Sequence, residues 1–597
     1  MADETTSSCA LKAPRVVIVG GVAGGASCAT RLRRMCEGAQ ITMVERGPYI
    51  SFATCGLPYH VGKIIPDETS LRVATPELLR DRFGINVRVE TEAVRVNVED
   101  QSVAIQTLDA DGSLVTEELT YDYLVLATGA AAVIPPWPGV DLPGVFTLRS
   151  IPHARVIREW IAGAEAAIGG SRRVRTGIVG AGFIGLELAD ALVASGVDVV
   201  LLEYAPQIMP PMDREMADAL QTRIEGGSGD ALFVAVGDGV IGFRSRTSGH
   251  PLEILTAGHE AYPCDLVVVA VGVKAESGLA RDAGIALGAR GAIAVDASFR
   301  TSDPRVFAVG DVVETADRVT GRPMSLALAG PANRAGRIVA DTIVGAGRAA
   351  PTLAVRTGAR MPGSAPLSRG VLATWVCGAF GFVAAGVGAS ARALDAAGMD
   401  YAAAYVVAGH HVGYYPGAKT VVFKLLYSRA DGRILGAQAV GEHGVERRID
   451  VIATAMHARG SVYDLVDLEL AYAPAFGAAR DIVNMVGMVA VNDLDGIDPL
   501  VRWGEGGALP DGVDLVLDVR GADEVVDAPL NGAIHVPLHE LRSVLADEAG
   551  VLAGVGDQVV GVVCAVGRRA HVATCLLRSA GIDARTVTGG MAVRGQR

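Results

Sequence analysis

The sequence predicts an α/β protein with two Rossmann-like nucleotide-binding domains. A unit of apolar strand, glycine turn, helix, second strand and terminal acid begins at Arg15, and a second such unit begins at Thr176. Three more apolar strands run into glycine turns, at 123–129, 265–272 and 305–311. The chain has 597 residues, half of them apolar, enough for three or four domains with large cores.

Taken in order, Arg15–Val19 reads as a short buried parallel strand. Gly20-Gly21-Val22-Ala23-Gly24-Gly25 follows, then a helical run to Cys36, then a strand from Ile41 to Val44 that ends at Glu45-Arg46. This is a dinucleotide fingerprint: backbone N–H groups and a helix N-terminus face a pyrophosphate, and Glu45 can bond ribose hydroxyls. The middle glycine is replaced by Val22. The second fingerprint is complete, Gly180-Ala181-Gly182-Phe183-Ile184-Gly185, and its second strand, Val199–Leu202, ends at Glu203. Two fingerprints imply two dinucleotides. An acid at the strand end bonds a ribose 2′-OH and repels a 2′-phosphate, so Glu203, followed by Tyr204, Ala205 and Pro206, predicts NADH over NADPH. Thr128-Gly129, Gly272 and Gly310-Asp311 close the remaining strands. Asp311 stands where a carboxylate can meet a flavin's ribityl hydroxyls.

Soon after the first fingerprint comes Ser51-Phe52-Ala53-Thr54-Cys55-Gly56-Leu57-Pro58-Tyr59. No second cysteine lies four or five residues from Cys55, so this thiol works alone. A lone thiol beside a flavin can form a mixed disulfide, a persulfide or a sulfenic acid.

Composition excludes several classes. A net charge of -13 argues against general nucleic-acid binding, though not against a local basic pocket. The eight cysteines form no CxxC pair or zinc-type cluster, so no metal site is expected; the usage reads as reduced and cytoplasmic. Met1 to Arg15 has no apolar core of a signal peptide. Residues 370–391 carry no charge and are long enough to span a bilayer, but their five glycines predict a buried strand–turn segment and no membrane span.

Together these motifs, over about residues 15–495, resemble the FAD/NAD(P)-linked pyridine nucleotide–disulfide oxidoreductases. The resemblance implies an FAD-binding domain in two parts, 15–130 and 265–345, split by an NAD-binding domain at 131–264, then an α+β dimerisation domain at 346–495 and a homodimer. Within that group the first fingerprint, the Ser51–Tyr59 stretch, His411-Val412-Gly413-Tyr414-Tyr415-Pro416-Gly417-Ala418, Tyr472-Ala473-Pro474-Ala475-Phe476-Gly477 and Leu328-Ala329-Gly330-Pro331-Ala332-Asn333-Arg334 are similar to coenzyme A disulfide reductases. The resemblance implies that Cys55 exchanges with coenzyme A and that Ala329 lies beside the flavin. It also places Ser51 and Thr54 at the substrate and brings Tyr472, with Tyr414 or Tyr415, to the thiol from the partner subunit. A phenol there can donate a proton to a departing thiolate. Arg31 and Arg34, three apart on the first helix, share a face, which by resemblance lines the coenzyme A channel.

Residues 496–510 read as a linker. Beyond it Leu515–Arg520 is a strand ending in Asp and Arg, Gly532–Pro537 follows, and Val559–Val563 is another apolar strand. The last runs into Cys564-Ala565-Val566-Gly567-Arg568-Arg569, with a helical run from near Ala570. In that order they resemble an α/β rhodanese domain, at 510–597, with its C-x-x-x-x-R loop. A cysteine between a strand and a helix N-terminus faces converging N–H groups, which with Arg568 and Arg569 would stabilise a thiolate or an anionic persulfide.

The reading that follows is an FAD-dependent, NADH-using reductase of coenzyme A persulfide, polysulfide or coenzyme A disulfide, with Cys564 handling sulfane sulfur. The alternative is an NADH oxidase or peroxidase that cycles Cys55 through a sulfenic acid.

Overall fold

The computed structural model describes residues 13–109, 111–345, 367–547, 551–552 and 554–594. The segment before Ala13 and the expected domain start at 346 lie outside them. The chain divides into two compact units. One is built from described residues within 1–180, 191–200 and 240–371, the other from those within 181–190, 201–239 and 372–597.

The first unit carries a five-stranded parallel sheet in the order Val306–Ala308, Tyr123–Leu126, Arg15–Val19, Gln40–Val44, Asn86–Arg88. These strands are near-continuous Val, Ile and Leu because a parallel sheet is covered on both faces. Val16, Ile18, Leu124, Val125 and Phe307 are fully buried. Helix Ala23–Met35 packs along helix Ala329–Val344. Ser27 Oγ donates to Asn333 Oδ1 at 2.5 Å, and Arg31 Nε donates to the buried Asp341 at 2.7 Å. In the same unit, strand Leu266–Val269 lies in parallel between Arg175–Val179 and Val145–Thr147. The expected strands of both fingerprints are thus present.

In the second unit an antiparallel sheet runs in the order Trp375–Ala379, Phe382–Gly388, Ile434–Gly441, Thr420–Ser428, Tyr401–Gly409. Helices Val445–His457 and Ile482–Leu494 belong to the same unit. The uncharged segment 370–391 forms the first hairpin of this sheet. Phe380 (φ +54°) and Gly381 (φ +78°) make its two-residue turn, the left-handed pair that matches strand twist. No helix among the described residues is long and apolar enough to cross a membrane.

The C-terminal α/β region has its own parallel sheet: Leu500–Val501, Ala584–Val587, Val560–Val563, Leu515–Asp518, Ile534–His535. Two expectations are corrected here. The stretch 496–510 is more than a linker, because Leu500–Val501 supplies an edge strand. Asp498 is buried against Thr586 and His571, and Trp503 Nε1 donates to Gly590 O. A two-residue strand is too short to leave a period in sequence. The last helix begins at Arg568, not near Ala570, so both arginines of the loop stand in its first turn.

A buried charge cluster ties parts of the second unit together. Lys424, on strand Thr420–Ser428, is almost wholly buried. It donates to Asp213 Oδ2 at 2.7 Å and to Glu215. Gln438 Nε2 also donates to Asp213, and Tyr405 OH donates to Glu215 at 2.7 Å. The Tyr405 backbone N–H donates to Thr588 Oγ1 of the C-terminal region at 3.0 Å. Burial opposes the Lys424 ammonium, but Tyr405, Glu215 and Asp213 outweigh it and hold its pKa well above the ordinary value. Burial likewise opposes the Glu215 charge, and Lys424 and Tyr405 more than offset that. Lys424→Met removes the cation from two buried carboxylates, and we expect the unit to lose about 3–5 kcal/mol, read as a fall in urea or thermal midpoint. A loss below ~1 kcal/mol would show that the carboxylates rehydrate or protonate cheaply.

Candidate functional site

At the first fingerprint the chain must turn sharply out of strand Arg15–Val19. Gly20 has φ +103°, and a Cβ on it would overlap the Ala127 carbonyl. Only glycine serves there. The residues after it enter helix Ala23–Met35 with Val22 at the N-cap and no side chain capping the helix N–H groups. Those donors, with Gly21, Ala23, Gly24 and Gly25 keeping side chains small, form the anion-binding end expected of the motif. Glu45 Oε2 accepts from Gly21 N–H at 2.9 Å, and its Oε1 accepts from Gly47 N–H at 2.9 Å. A carboxylate has about four acceptor positions, so two remain for ribose hydroxyls.

The second fingerprint repeats this bonding. Gly180 has φ +108°. In the second unit, Glu203 Oε2 accepts from Ala181 N–H and its Oε1 from Ala205 N–H, both at 2.8 Å. Nothing lies within 4 Å of where a Cβ on Gly182 would stand. That empty position is the room a phosphate needs at the head of helix Phe183–Ala194, which contains Gly185.

The other expected cofactor residues of the first unit form two linked groups. Thr128 Oγ1 donates to Glu276 O at 2.7 Å, Glu276 N–H donates to Gly129 O at 2.9 Å, and Arg46 pairs with the Glu276 carboxylate at 2.7 Å. That hydrogen bond raises the Arg46 pKa. Gly272 O accepts from Val133 N–H at 2.9 Å. Asp311 lies on the turn Gly310–Val312, and Arg149 donates to its Oδ2 at 2.8 Å and to Ala130 O at 2.8 Å. Glu276 and Arg149 were missed by sequence reasoning, since neither sits in a motif. Ala329 opens a sixteen-residue helix whose N-terminus has no side-chain cap. These carboxylates, uncapped helix ends and glycine turns fit an FAD at the first fingerprint and a nicotinamide dinucleotide at the second.

Cys55 lies in the single turn Thr54–Gly56, followed by Leu57–Val61 with Pro58 in its first turn. This segment is tied to the fingerprint: Ser51, at φ +43°, donates its N–H to Gly21 O at 2.8 Å, and Ser51 O accepts from Val73 N–H at 2.7 Å. Among the described residues six cysteines are free thiols, and of these Cys55 alone is exposed. Burial pushes Cys28, Cys264 and Cys377 up to about 12. Cys36 is buried, and Cys9 lies outside the described residues.

Of the expected coenzyme A arginines, Arg31 is held by Asp341. Arg34 is exposed, donates to Thr30 O at 2.9 Å and stacks over Phe83 at 5.8 Å. The two share a helix but differ in engagement, because Asp341 on a different helix decides it. Among the tyrosines, Tyr414 OH and Tyr472 OH lie 2.9 Å apart on an exposed surface of the second unit, and this bond raises the Tyr472 pKa. Tyr415 instead packs edge-on against His411, centroids 5.4 Å apart.

In the C-terminal region Cys564 Sγ is buried at the base of its loop and accepts N–H bonds from Gly567 (3.2 Å) and Ala570 (3.4 Å). The loop therefore converges on sulfur. Arg568 is exposed. Arg569 makes a two-pronged pair with Glu524, Nη1 to Oε2 and Nη2 to Oε1, each 2.6 Å. That pairing raises Arg569 and, with Gly521 N–H, brings Glu524 down to about 2. Among the described residues no cluster of His, Cys, Asp and Glu could hold a metal.

The model of the family described as pyridine nucleotide-disulphide oxidoreductase matches residues 14–332, and that of its dimerisation domain matches 378–482. Coenzyme A disulfide reductase of Staphylococcus aureus (strain bovine RF122 / ET3-1) is 30% identical over 481 residues, 80% of this chain and 100% of the relative. The structure of reduced Bacillus anthracis CoADR-RHD is similar with a TM-score of 0.86 at 36% identity, covering 98% of each chain. A NAD-dependent persulfide reductase from A. fulgidus gives 0.82 at 34%, covering 97% of this chain and 99% of that one. A water-forming NADH oxidase from Lactobacillus brevis, 22% identical with a TM-score of 0.71 over 81% of this chain and 99% of that one, shares the fold.

The Glu203 geometry generates a cofactor test. Its carboxylate ends the second nucleotide strand, where it would repel a 2′-phosphate. We expect kcat/KM for NADH to exceed that for NADPH by about tenfold or more, and Glu203→Ala to narrow the ratio, since juxtaposed like charges are strongly unfavourable. Stopped-flow reduction with each nucleotide checks it; equal efficiencies in the parent protein would refute it.

Proposed function

The chain belongs to the pyridine nucleotide-disulphide oxidoreductase family, and from that premise we propose that it is an NADH-dependent reductase of coenzyme A persulfide, polysulfide or coenzyme A disulfide that works through Cys55. It binds FAD and NAD(H). Held at the first fingerprint, FAD would supply two-electron transfer between NADH and sulfur. The protein's own residues align the partners and manage the sulfur.

The observation that carries the reading is the state of Cys55. It is the exposed free thiol, and Ser51 ties its segment to the flavin fingerprint. As a thiolate it attacks one sulfur of an incoming disulfide, or the terminal sulfane sulfur of a persulfide, forms a bond to it and expels the other sulfur as a thiolate. Two electrons then restore the Cys55 thiolate and release the captured group as a thiol or hydrogen sulfide. Likeness over nearly the whole chain to a NAD-dependent persulfide reductase from A. fulgidus supports sulfur over oxygen as the acceptor.

The remaining parts of the proposal are a cytoplasmic homodimer, phosphate contacts and a sulfur carrier. The Tyr414–Tyr472 pair reaches the thiol across the dimer and donates the proton to the leaving thiolate. Arg34, with Arg31 held behind it by Asp341, attracts the phosphates of coenzyme A. The C-terminal α/β region acts as a rhodanese domain, with sulfane sulfur carried on Cys564 beneath the Gly567 and Ala570 N–H groups.

Anaerobic turnover with coenzyme A persulfide, polysulfide and coenzyme A disulfide, with hydrogen sulfide and free coenzyme A measured, tests this. Cys55→Ser should still bind FAD and bleach it with NADH, but fall to the background rate with each sulfur acceptor. Full sulfur turnover by Cys55→Ser would sink the assignment. Faster turnover of the parent protein with oxygen or hydrogen peroxide than with any sulfur acceptor would favour the oxidase or peroxidase alternative. Separately, Cys564→Ser should abolish loading of the domain with sulfur from thiosulfate or polysulfide, and retained loading would show that Cys564 is not the carrier.

A further inference from the structure

Resting on the reading of Cys564 as a sulfur carrier, we propose that Glu524 is a specificity-determining residue: by neutralising Arg569 it makes the Cys564 loop favour organic persulfides over thiosulfate. Of the two arginines at the end of the loop, Arg568 is exposed, whereas Arg569 interacts with Cys564 and is paired with an acid. Both terminal nitrogens of Arg569 are taken by the two oxygens of Glu524 at 2.6 Å. Glu524 is itself fixed from behind. Its Oε2 accepts from Gly521 N–H at 2.9 Å, and its backbone carbonyl accepts from Arg520 at 3.0 Å. Arg520 is buried on Asp518, both oxygens within 3.0 Å of its Nε. The acid that meets Arg569 is thus anchored at both its carboxylate and its backbone, and the pair presents little net charge to the sulfur.

The two classes of donor ask different things of that site. With thiosulfate, the Cys564 thiolate attacks the outer sulfur, a Cys–S–S⁻ persulfide forms, the S–S bond to the sulfonate breaks, and sulfite leaves with the electron pair. The reacting group carries three negative charges throughout. With a protonated organic persulfide, the thiolate attacks the terminal sulfur, Cys564 becomes the persulfide, and the organic thiolate leaves and takes the proton. That group carries one negative charge. Cys564 is fully buried, so its charges interact in a medium of lower dielectric than water. Two N–H donors suffice for one negative charge. The more highly charged route calls for a cation, and Arg569, the loop arginine that interacts with Cys564, already shares its charge with Glu524.

Glu524→Gln keeps the shape and a hydrogen bond but removes the opposing charge, so Arg569 acts on the donor with its full charge. In the full-length holoprotein, sulfur transferred onto Cys564 from thiosulfate and from glutathione persulfide is measured by mass, at low and at high salt. The ratio of thiosulfate to persulfide kcat/KM should rise about tenfold in Glu524→Gln at low salt, mainly through a lower KM for thiosulfate, and shrink toward the parent value as salt rises. Glu524→Asp, which keeps the charge, should restore the parent ratio. An unchanged ratio in Glu524→Gln, or an equal change in Glu524→Asp, overturns the inference while leaving the carrier role intact. Absence of Cys564 loading from either donor in the parent protein instead refutes the carrier reading on which it rests.

Discussion

Much of the first unit depends on one close backbone approach. The Ala127 carbonyl fills the space where a side chain on Gly20 would begin, so the strand ends, the turn and the helix N-terminus meet without a side chain between them. Gly21, next in line, shows one face to the Glu45 carboxylate through its N–H and offers its carbonyl to Ser51. The Glu45 carboxylate and the thiol-bearing segment are thereby hung on adjacent groups of one residue. The position of Cys55 is a consequence of the nucleotide fold rather than of a separate active-site scaffold. This economy fits a chemistry in which a ring and a sulfur must be aligned to within a fraction of an ångström.

Charge is handled with similar local care. The chain is acidic overall, yet several arginines that could attract anionic ligands are matched to carboxylates: Arg31 to Asp341, Arg149 to Asp311, Arg520 to Asp518 and Arg569 to Glu524. Paired in this way, an arginine fixes geometry more than it attracts ions at a distance. Anion binding then falls to backbone N–H groups at helix starts, which carry no counter-charge. The same donor type stands at the head of helix Ala23–Met35 and beneath Cys564.

Burial sorts the thiols. Cys28, Cys264 and Cys377 are core residues held protonated by desolvation. Cys55 faces solvent, and Cys564 is buried but met by donors. The two candidate redox sulfurs differ from the rest for opposite physical reasons, exposure in one case and directed hydrogen bonding in the other.

Strand–glycine–helix–acid spacing made both nucleotide units legible in the sequence, because a tight turn at Gly20 or Gly180 admits no substitute and a buried parallel strand must be continuously apolar. The charge-free segment 370–391 was legible for a related reason: its glycines exclude a long helix, and Phe380–Gly381 proves to be a turn. Pairings between residues distant in sequence were not. Arg31 meets Asp341 across 310 positions, Arg149 meets Asp311 across 162, Tyr414 rather than Tyr415 meets Tyr472, and Leu500–Val501 joins a strand more than eighty residues away. Local sequence determines backbone conformation and burial period, because sterics and solvent act on neighbours. Which charged and polar side chains then satisfy one another depends on how helices and strands are packed, and only the tertiary structure decides that.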